Sequence, residues 1–154
     1  MTPPEQPSAR SLAQRLADTR RRLDEDVDAW VATADGDAPC LAPLSFLWDG
    51  DAVLVATAET GRTGRNLAAT GKVRLGIGLV RDVVLVQGTV EAVDPGEITA
   101  ELRERFAAKT GFDPDEEAGF RYFRIRPRRI QAWREENELA ARDVMRDGTW
   151  LDPA

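Results

Sequence analysis

The sequence predicts a mainly β protein with accessory helices, arranged as one small barrel. Extended apolar runs recur along the chain, and turn signals such as Asp49-Gly50 join them as hairpins. Helical periodicity is confined to the start of the chain and to two later segments. With 154 residues the chain can build one hydrophobic core without disulfides or a structural metal. We expect a flexible lead over residues 1–10 and a single domain with a C-terminal tail over residues 11–154.

The first half of the chain predicts a helix, three strands and a second, shorter helix. Apolar residues at three-, four- and seven-residue spacing mark the first helix, with Ser8 or Ser11 as its N-cap. Three strands follow over residues 29–33, 40–48 and 53–57. The second helix is expected over residues 64–70. Thr63 is its predicted N-cap and Gly71 its C-terminal stop.

The second half predicts further strands around one more helix. Two strands are expected over residues 73–79 and 83–93. The run Asp94-Pro95-Gly96-Glu97 has the pattern of a helix start, and Gly111 ends that helix. A last extended segment covers residues 120–133, interrupted at Pro127, and a polar tail follows. The total is six or seven strands.

The strand segment 41–48 is apolar at nearly every position, so neither of its faces suits water. In a small barrel the outer face of such a strand must meet a helix, a ligand or another subunit. We interpret it as a dimer interface beside a ligand site, with coverage by the first helix as the alternative. Pro43 lacks an N–H group and therefore predicts an edge position or a bulge.

Composition excludes several classes of function. The chain has no histidine and a single cysteine, Cys40, which removes Ser-His and Cys-His nucleophiles and His- or multi-Cys-ligated metals. A net charge of −6 argues against nucleic acid as a partner. No apolar run has the length of a membrane span, and residues 1–10 lack the apolar core of a signal peptide. We therefore expect a cytoplasmic protein without a metal site.

The segment 56–67 predicts a site for an anion. It has the pattern of a strand end, a glycine-bearing turn and the first turn of a helix, with the guanidiniums of Arg62 and Arg65 gathered there. Unpaired N–H groups at a helix start, together with arginines, suit a phosphate. An ordinary solvated loop is the alternative.

These residues, in this order, resemble the pyridoxamine 5′-phosphate oxidase-like flavin-binding split-barrel superfamily. The resemblance is carried by the segment 43–50, the strand 54–57, the motif Arg62-Thr63-Gly64-Arg65-Asn66-Leu67 and the strand that begins with Val73. It extends from about residue 27 to residue 133. It implies an FMN-binding split β-barrel and a homodimer with the cofactor at the subunit interface. The implied cofactor is FMN or, in a related branch, the deazaflavin coenzyme F-420.

The resemblance also implies which residues hold the cofactor. The ring system would lie along one strand and the ribityl phosphate at the following turn, which gives the set Pro43, Leu44, Ser45, Phe46, Thr57, Arg62, Thr63, Arg65 and Asn66. Gln87 is a further candidate, as a donor to a ring carbonyl across the interface or as a merely solvated side chain. The family often has lysine where this chain has Thr63, which leaves the phosphate to Arg62 and Arg65.

The leading hypothesis is an oxidoreductase whose bound flavin-type cofactor transfers hydride to or from a small organic substrate. No catalytic side chain can be named. One alternative is a non-catalytic protein that binds a flavin, haem or other ligand, although the absence of histidine removes the usual haem ligand. Another is a barrel that has lost its cofactor. An arginine cluster in residues 121–134 either meets an anionic substrate or pairs with surface acids such as those at 113–117.

Overall fold

The computed structural model covers residues 1–154 and contains three α-helices, eight strands and three short 3-10 helices. The α-helices are α1 (Leu12–Glu25), α2 (Arg62–Thr70) and α3 (Ala100–Thr110). The strands are β1 (Asp28–Asp35), β2 (Ala38–Trp48), β3 (Val53–Ala58), β4 (Lys72–Leu79), β5 (Asp82–Val93), β6 (Phe120–Trp133), β7 (Asp143–Arg146) and β8 (Thr149–Trp150). The 3-10 helices are Pro95–Glu97, Pro114–Glu116 and Glu136–Ala141.

Six antiparallel strands close into a barrel in the order β3-β2-β1-β4-β5-β6, because β3 also pairs with β6. The predicted split-barrel fold class is therefore confirmed. The hairpin β7–β8 extends the sheet beyond β6, in the segment predicted as a polar tail. Val144 and Met145 of β7 are buried in the main core, which explains why this short, polar-flanked segment folds as a strand.

Helix α1 begins at Ser11, one of the two predicted N-caps. The Ser11 side chain accepts a hydrogen bond from the Gln14 N–H, and the Gln14 side chain accepts one from the Ser11 N–H. This reciprocal capping box satisfies donors that a helix start otherwise leaves unpaired. Leu16 and Leu23 point from α1 into the barrel core. The helix therefore contributes to the barrel core.

A second, smaller apolar cluster lies outside the barrel wall, under α3. Phe106 of α3 packs there with Leu47 of β2, Leu54 of β3 and Tyr122 of β6. Helix α3 thus covers the outer face of β2 at the C-terminal end of that strand. The sequence analysis predicts a dimer interface beside a ligand site on this face, with coverage by α1 as the alternative. Toward the N-terminal end of β2, Leu41 stays exposed.

The predicted helix start at residues 94–97 is wrong. Those residues form the 3-10 helix Pro95–Glu97, and α3 begins later, where the Thr99 hydroxyl accepts from the Leu102 N–H. The Asp94 carboxylate makes no cap hydrogen bond, and it accepts one from the Arg121 guanidinium. The predicted stop at Gly111 is confirmed, with φ of 72°. None of the helices is both long enough and apolar enough to span a bilayer.

Candidate functional site

The start of α2 lies directly against the end of β3. Gly61 is the N-cap in an extended conformation, and no side chain caps this end of the helix. The predicted N-cap, Thr63, is therefore wrong, because the helix already includes Arg62 and Thr63. The N–H groups of its first three residues have no acceptor within the helix. Together with the helix dipole they favour a negative charge at this point.

The side chains on the inner face of α2 fasten it to β1 and β2. Thr63 is buried, and its hydroxyl lies 3.8 Å from the Cys40 sulfur. Asn66 is also buried, and its amide donates to the Thr33 hydroxyl at 3.2 Å. These contacts hold the helix start in place over the strands. Both candidate residues thus have a structural role that the sequence did not indicate.

Arg62 and Arg65 are on the outer face of α2, exposed and without a partner. Eleven other arginines contact carboxylates, and Arg15, Arg20 and Arg142 contact carbonyl oxygens or aromatic rings. Two unpaired guanidiniums therefore flank the uncapped helix start. We call this arrangement the α2 corner, consisting of Gly61, Arg62, Thr63, Gly64 and Arg65. It has the composition of a phosphate site.

An open strand edge belongs to the same region of the molecule. Strand β2 pairs with β1 along its length but with β3 only over residues 46–48. Phe46 donates its N–H to Val27 on the β1 side, so alternate residues point their backbone groups the other way. Pro43 and Ser45 belong to that outward set. The predicted edge position of Pro43 is confirmed, since a proline costs no ladder hydrogen bond there.

The four candidate residues of β2 differ in what they expose. Leu44 and Phe46 point their side chains into the barrel core, and Phe46 is fully buried. Their backbone groups bond toward β1, so neither residue offers a free donor at the edge. Ser45 donates its hydroxyl to Asp28 at 2.7 Å. The groups available to a ligand are thus the Pro43 carbonyl and the Ser45 main chain.

Thr57 lies at the end of β3, half-buried, and pairs with Arg121 of β6. It precedes the α2 corner closely in sequence, on the strand that leads to α2. Gln87 lies elsewhere on the chain, on the outer face of β5. Three strand spacings, about 14 Å, separate it from β2. Of the candidate residues, the structure places Thr63 and Asn66 of α2 against β2 and β1, and it places Gln87 on a separate part of the barrel.

The outer face of β2, β1, β4 and β5 carries an apolar depression of about 320 Å³. Trp30, Leu41 and Leu85 line it and are 55%, 64% and 37% exposed. Trp30 and Leu85 both pair with Gly76, which lies on the strand between them. Because glycine has no side chain, the depression stays open between these two large side chains. Gln87 lies at the rim. We call this surface the apolar face.

The arginine cluster of residues 121–134 serves mainly for ion pairing. Arg121, Arg124, Arg126, Arg129 and Arg134 all contact carboxylates. Their partners are on other strands and loops, and none belongs to the acidic segment 113–117, which instead pairs through Asp115 with Arg103. Arg128 alone contacts no carboxylate. The predicted pairing is confirmed for five members of the cluster, with partners that spacing alone did not identify.

The comparisons agree with this fold. The sequence family described as pyridoxamine 5′-phosphate oxidase matches residues 18–134. No curated protein matches the chain significantly. Among solved structures, an FAD-binding protein of Mesorhizobium loti superposes with a TM-score of 0.63 at 18% identity, over 74% of this chain and 88% of that one.

Two further structures show the range of proteins that share the fold. An F420 reductase superposes with a TM-score of 0.60 at 19% identity, over 72% of this chain and 94% of that one. The haem storage protein HutZ of Vibrio cholerae gives 0.61 at 18% identity, over 80% and 95%. At such identities the likeness concerns the fold alone.

Proposed function

The chain belongs to the pyridoxamine 5′-phosphate oxidase family, and from this premise we propose that it is a flavin-type oxidoreductase. The proposed cofactor is FMN, with the deazaflavin F-420 as the alternative. The observation that carries the proposal is the α2 corner, where unpaired Arg62 and Arg65 flank an uncapped helix start beside the open edge of β2. Similar folds include an FAD-binding protein and an F420 reductase, which supports this class of ligand.

The α2 corner fits the phosphate of such a cofactor. A dianion there would accept hydrogen bonds from the free N–H groups of α2 and from two guanidiniums. Thr63 supplies no cation where a lysine would, since threonine is uncharged, and its hydroxyl is turned inward beside Cys40. The charge at this corner therefore comes from Arg62 and Arg65.

The open edge of β2 fits the polar rim of a ring system. Pro43 offers a carbonyl acceptor, and Ser45 offers both an N–H donor and a carbonyl acceptor. A second copy of the chain is proposed to cover the apolar face and to close the site from outside. In that dimer, Gln87 of one subunit would approach the cofactor held by the other.

The residues of this chain would bind, orient and shield. When bound, a flavin-type cofactor supplies hydride transfer by itself, and the protein needs no histidine or cysteine for it. The chain's contribution is to hold the phosphate at the α2 corner, to present main-chain groups at β2 and to exclude water through the dimer interface. The substrate is proposed to be a small organic molecule.

The visible spectrum of the purified protein, followed by titration with FMN and with F-420, tests the proposal. An oxidoreductase should bind one of them and transfer electrons between it and a nicotinamide donor. Binding without reduction would favour the non-catalytic ligand-binding alternative. If neither cofactor binds, both flavin forms of the proposal fail and the alternative of a barrel without a cofactor stands.

A further inference from the structure

A second cationic site lies on the outer face of β4 and β5, away from the α2 corner. It is an open groove of about 800 Å³ that we call the cationic groove. Three cations line it, Lys72, Arg74 and Arg128. Its uncharged polar side chains are Thr33, Thr70, Gln87 and Thr89. Thr70 is the last residue of α2, and a helix of nine residues places the two sites about 13 Å apart along its axis.

The register of the strands sets the spacing of these charges. Lys72 is opposite Thr89, and Arg74 is opposite Gln87. Two residues apart on one strand, Lys72 and Arg74 point to the same face with about 7 Å between them. Each cation thus has an uncharged hydrogen-bonding neighbour on β5. This pattern suits two anionic groups side by side.

Arg128 adds a third charge from β6. The strand bulges there, since Pro127 pairs with Gly88 and Arg129 with Gln87, which leaves Arg128 without a partner residue. The Gly148 N–H donates to the Arg128 carbonyl at 2.8 Å. The guanidinium lies so close to Gly148 that a Cβ at that position would be 2.7 Å from its Nη1 atom. The turn between β7 and β8 therefore holds Arg128 in position.

None of the three cations contacts a carboxylate within 4.0 Å, although the chain carries 27 acidic residues. The adjacent Arg126 and Arg129 are both ion-paired. Asp35 and Asp37 flank Gly36 at the rim of the groove and still form no pair with Lys72, Arg74 or Arg128. Lys72 and Arg74 thus lie on one strand face, opposite uncharged residues and without a carboxylate to neutralise them.

We propose that the cationic groove binds a small polyanion that carries two or three phosphate or carboxylate groups. The shared chemistry is a cluster of anionic oxygens facing three exposed cations. The inference rests on the groove alone and does not require a flavin at the α2 corner. The groove adjoins the apolar face, and Arg74 and Gln87 line both surfaces.

Calorimetric titration at low salt with inorganic pyrophosphate and with citrate tests the proposal. Both probes carry several anionic groups, and acetate serves as the singly charged control. Pyrophosphate binding identifies a phosphate ligand, and citrate binding identifies a carboxylate ligand. Arg74→Gln and Arg128→Gln should each weaken the affinity about tenfold or more, the range for losing a hydrogen bond to a charged group.

Two matched variants separate this site from other cations. Arg105→Gln removes an exposed, unpartnered arginine on α3, and Arg65→Ala disables the α2 corner. Arg105→Gln should bind the probes as the unmodified chain does. Arg65→Ala removes pyrophosphate bound at the α2 corner, so the binding that remains in this variant and that Arg74→Gln or Arg128→Gln weakens belongs to the cationic groove. Circular dichroism confirms that each variant is folded. The proposal is overturned if neither probe binds, or if Arg105→Gln weakens binding as much as Arg74→Gln.

Discussion

The first turn of α2 rests on the last residue of β3, because a Cβ on Gly64 would lie 2.2 Å from the Ala58 carbonyl oxygen. Only glycine permits this approach without a shift of the backbone. The α2 corner is thus positioned by a contact that involves no side chain. Any residue larger than glycine must push the helix start away from β3.

Gly64→Ala should lower the free energy of unfolding by about 1–3 kcal/mol, the usual cost of forcing extra volume into a closely packed site. Alanine is a better helix former than glycine, so helix propensity alone predicts the opposite sign. Urea denaturation measures the change. Gly96→Ala is the matched control, since nothing lies within 4 Å of its Cβ position. Equal stability of the Gly64 variant would contradict the contact with Ala58.

Glu138 and Arg10 form a buried ion pair between the N-terminal lead and the 3-10 helix Glu136–Ala141. Hydrogen bonds from the Arg10 side chain are the main reason that the pKa of Glu138 falls from 4.5 to about 2. The unfolded chain therefore binds a proton more readily than the folded one. The stabilisation is complete above about pH 4.5 and is lost as the pH falls toward 2.

Glu138→Gln should lower the free energy of unfolding at pH 7 by about 1.5–3 kcal/mol, the range for hydrogen bonds to a charged group, because Arg10 then keeps only Asp18 as a carboxylate partner. In this variant the free energy of unfolding should also fall less steeply as the pH is lowered from about 4.5 to 2, the acid limb of its pH profile. Unfolding midpoints in urea between pH 2 and pH 7 measure both effects. The exposed Glu136→Gln is the control. An acid limb that stays as steep in the Glu138 variant would refute this assignment.

The hydroxyl of Tyr122 is buried under α3 without a hydrogen-bond partner. Burial is the main cause that raises its pKa to about 12. Its ring packs edge-to-face on Phe106 at 5.5 Å. Tyr122→Phe keeps the ring and removes the orphaned hydroxyl, so the free energy of unfolding should rise by about 1 kcal/mol. Thermal unfolding checks this, and a clear loss of stability would show that the hydroxyl has a partner.

The proposed dimer predicts a change of oligomeric state when the apolar face becomes charged. Leu41→Asp places a carboxylate among Trp30, Leu85 and Gly76, where a partner subunit would have to desolvate it. Sedimentation velocity should show a dimer for the unmodified chain and a monomer for this variant. Val80→Asp, at a 94% exposed turn position, is the control. A monomeric unmodified chain would exclude the dimer.

Local sequence signals predicted most of the barrel because strands and turns follow short-range rules. The Asp49-Gly50 hairpin and the stop of α2 at Gly71 depend on the residues themselves. The expected interruption at Pro127 does not occur, because β6 runs unbroken through it and only bulges at Arg128. The predicted start of α3 is too early because the Asp94-Pro95 pattern forms only a 3-10 turn, whereas Thr99 caps the helix. The hairpin β7–β8 depends on burial against the barrel, which a short segment does not indicate.

The candidate site was predictable where chemistry is local and not where it depends on register. Arg62 and Arg65 are evident from their place at a helix start. The inward orientation of Thr63 and Asn66 depends on Cys40 and Thr33, which distant strands supply. The cationic groove was missed because Lys72, Arg74 and Arg128 meet only through the pairing of β4, β5 and β6. The only local sequence signal for the groove is the pair of cations at alternate positions of β4, Lys72 and Arg74.

Equilibrium titration of FMN and F-420 into the unmodified chain, Arg65→Ala and Arg105→Ala tests the central claim most directly. Both variants remove an exposed, unpartnered arginine from a helix, but only one of them is at the α2 corner. One cofactor should bind the unmodified chain and the Arg105 variant equally, and Arg65→Ala should weaken that binding by roughly 1.5–3 kcal/mol. Unchanged affinity in Arg65→Ala, or no binding of either cofactor, would contradict the claim.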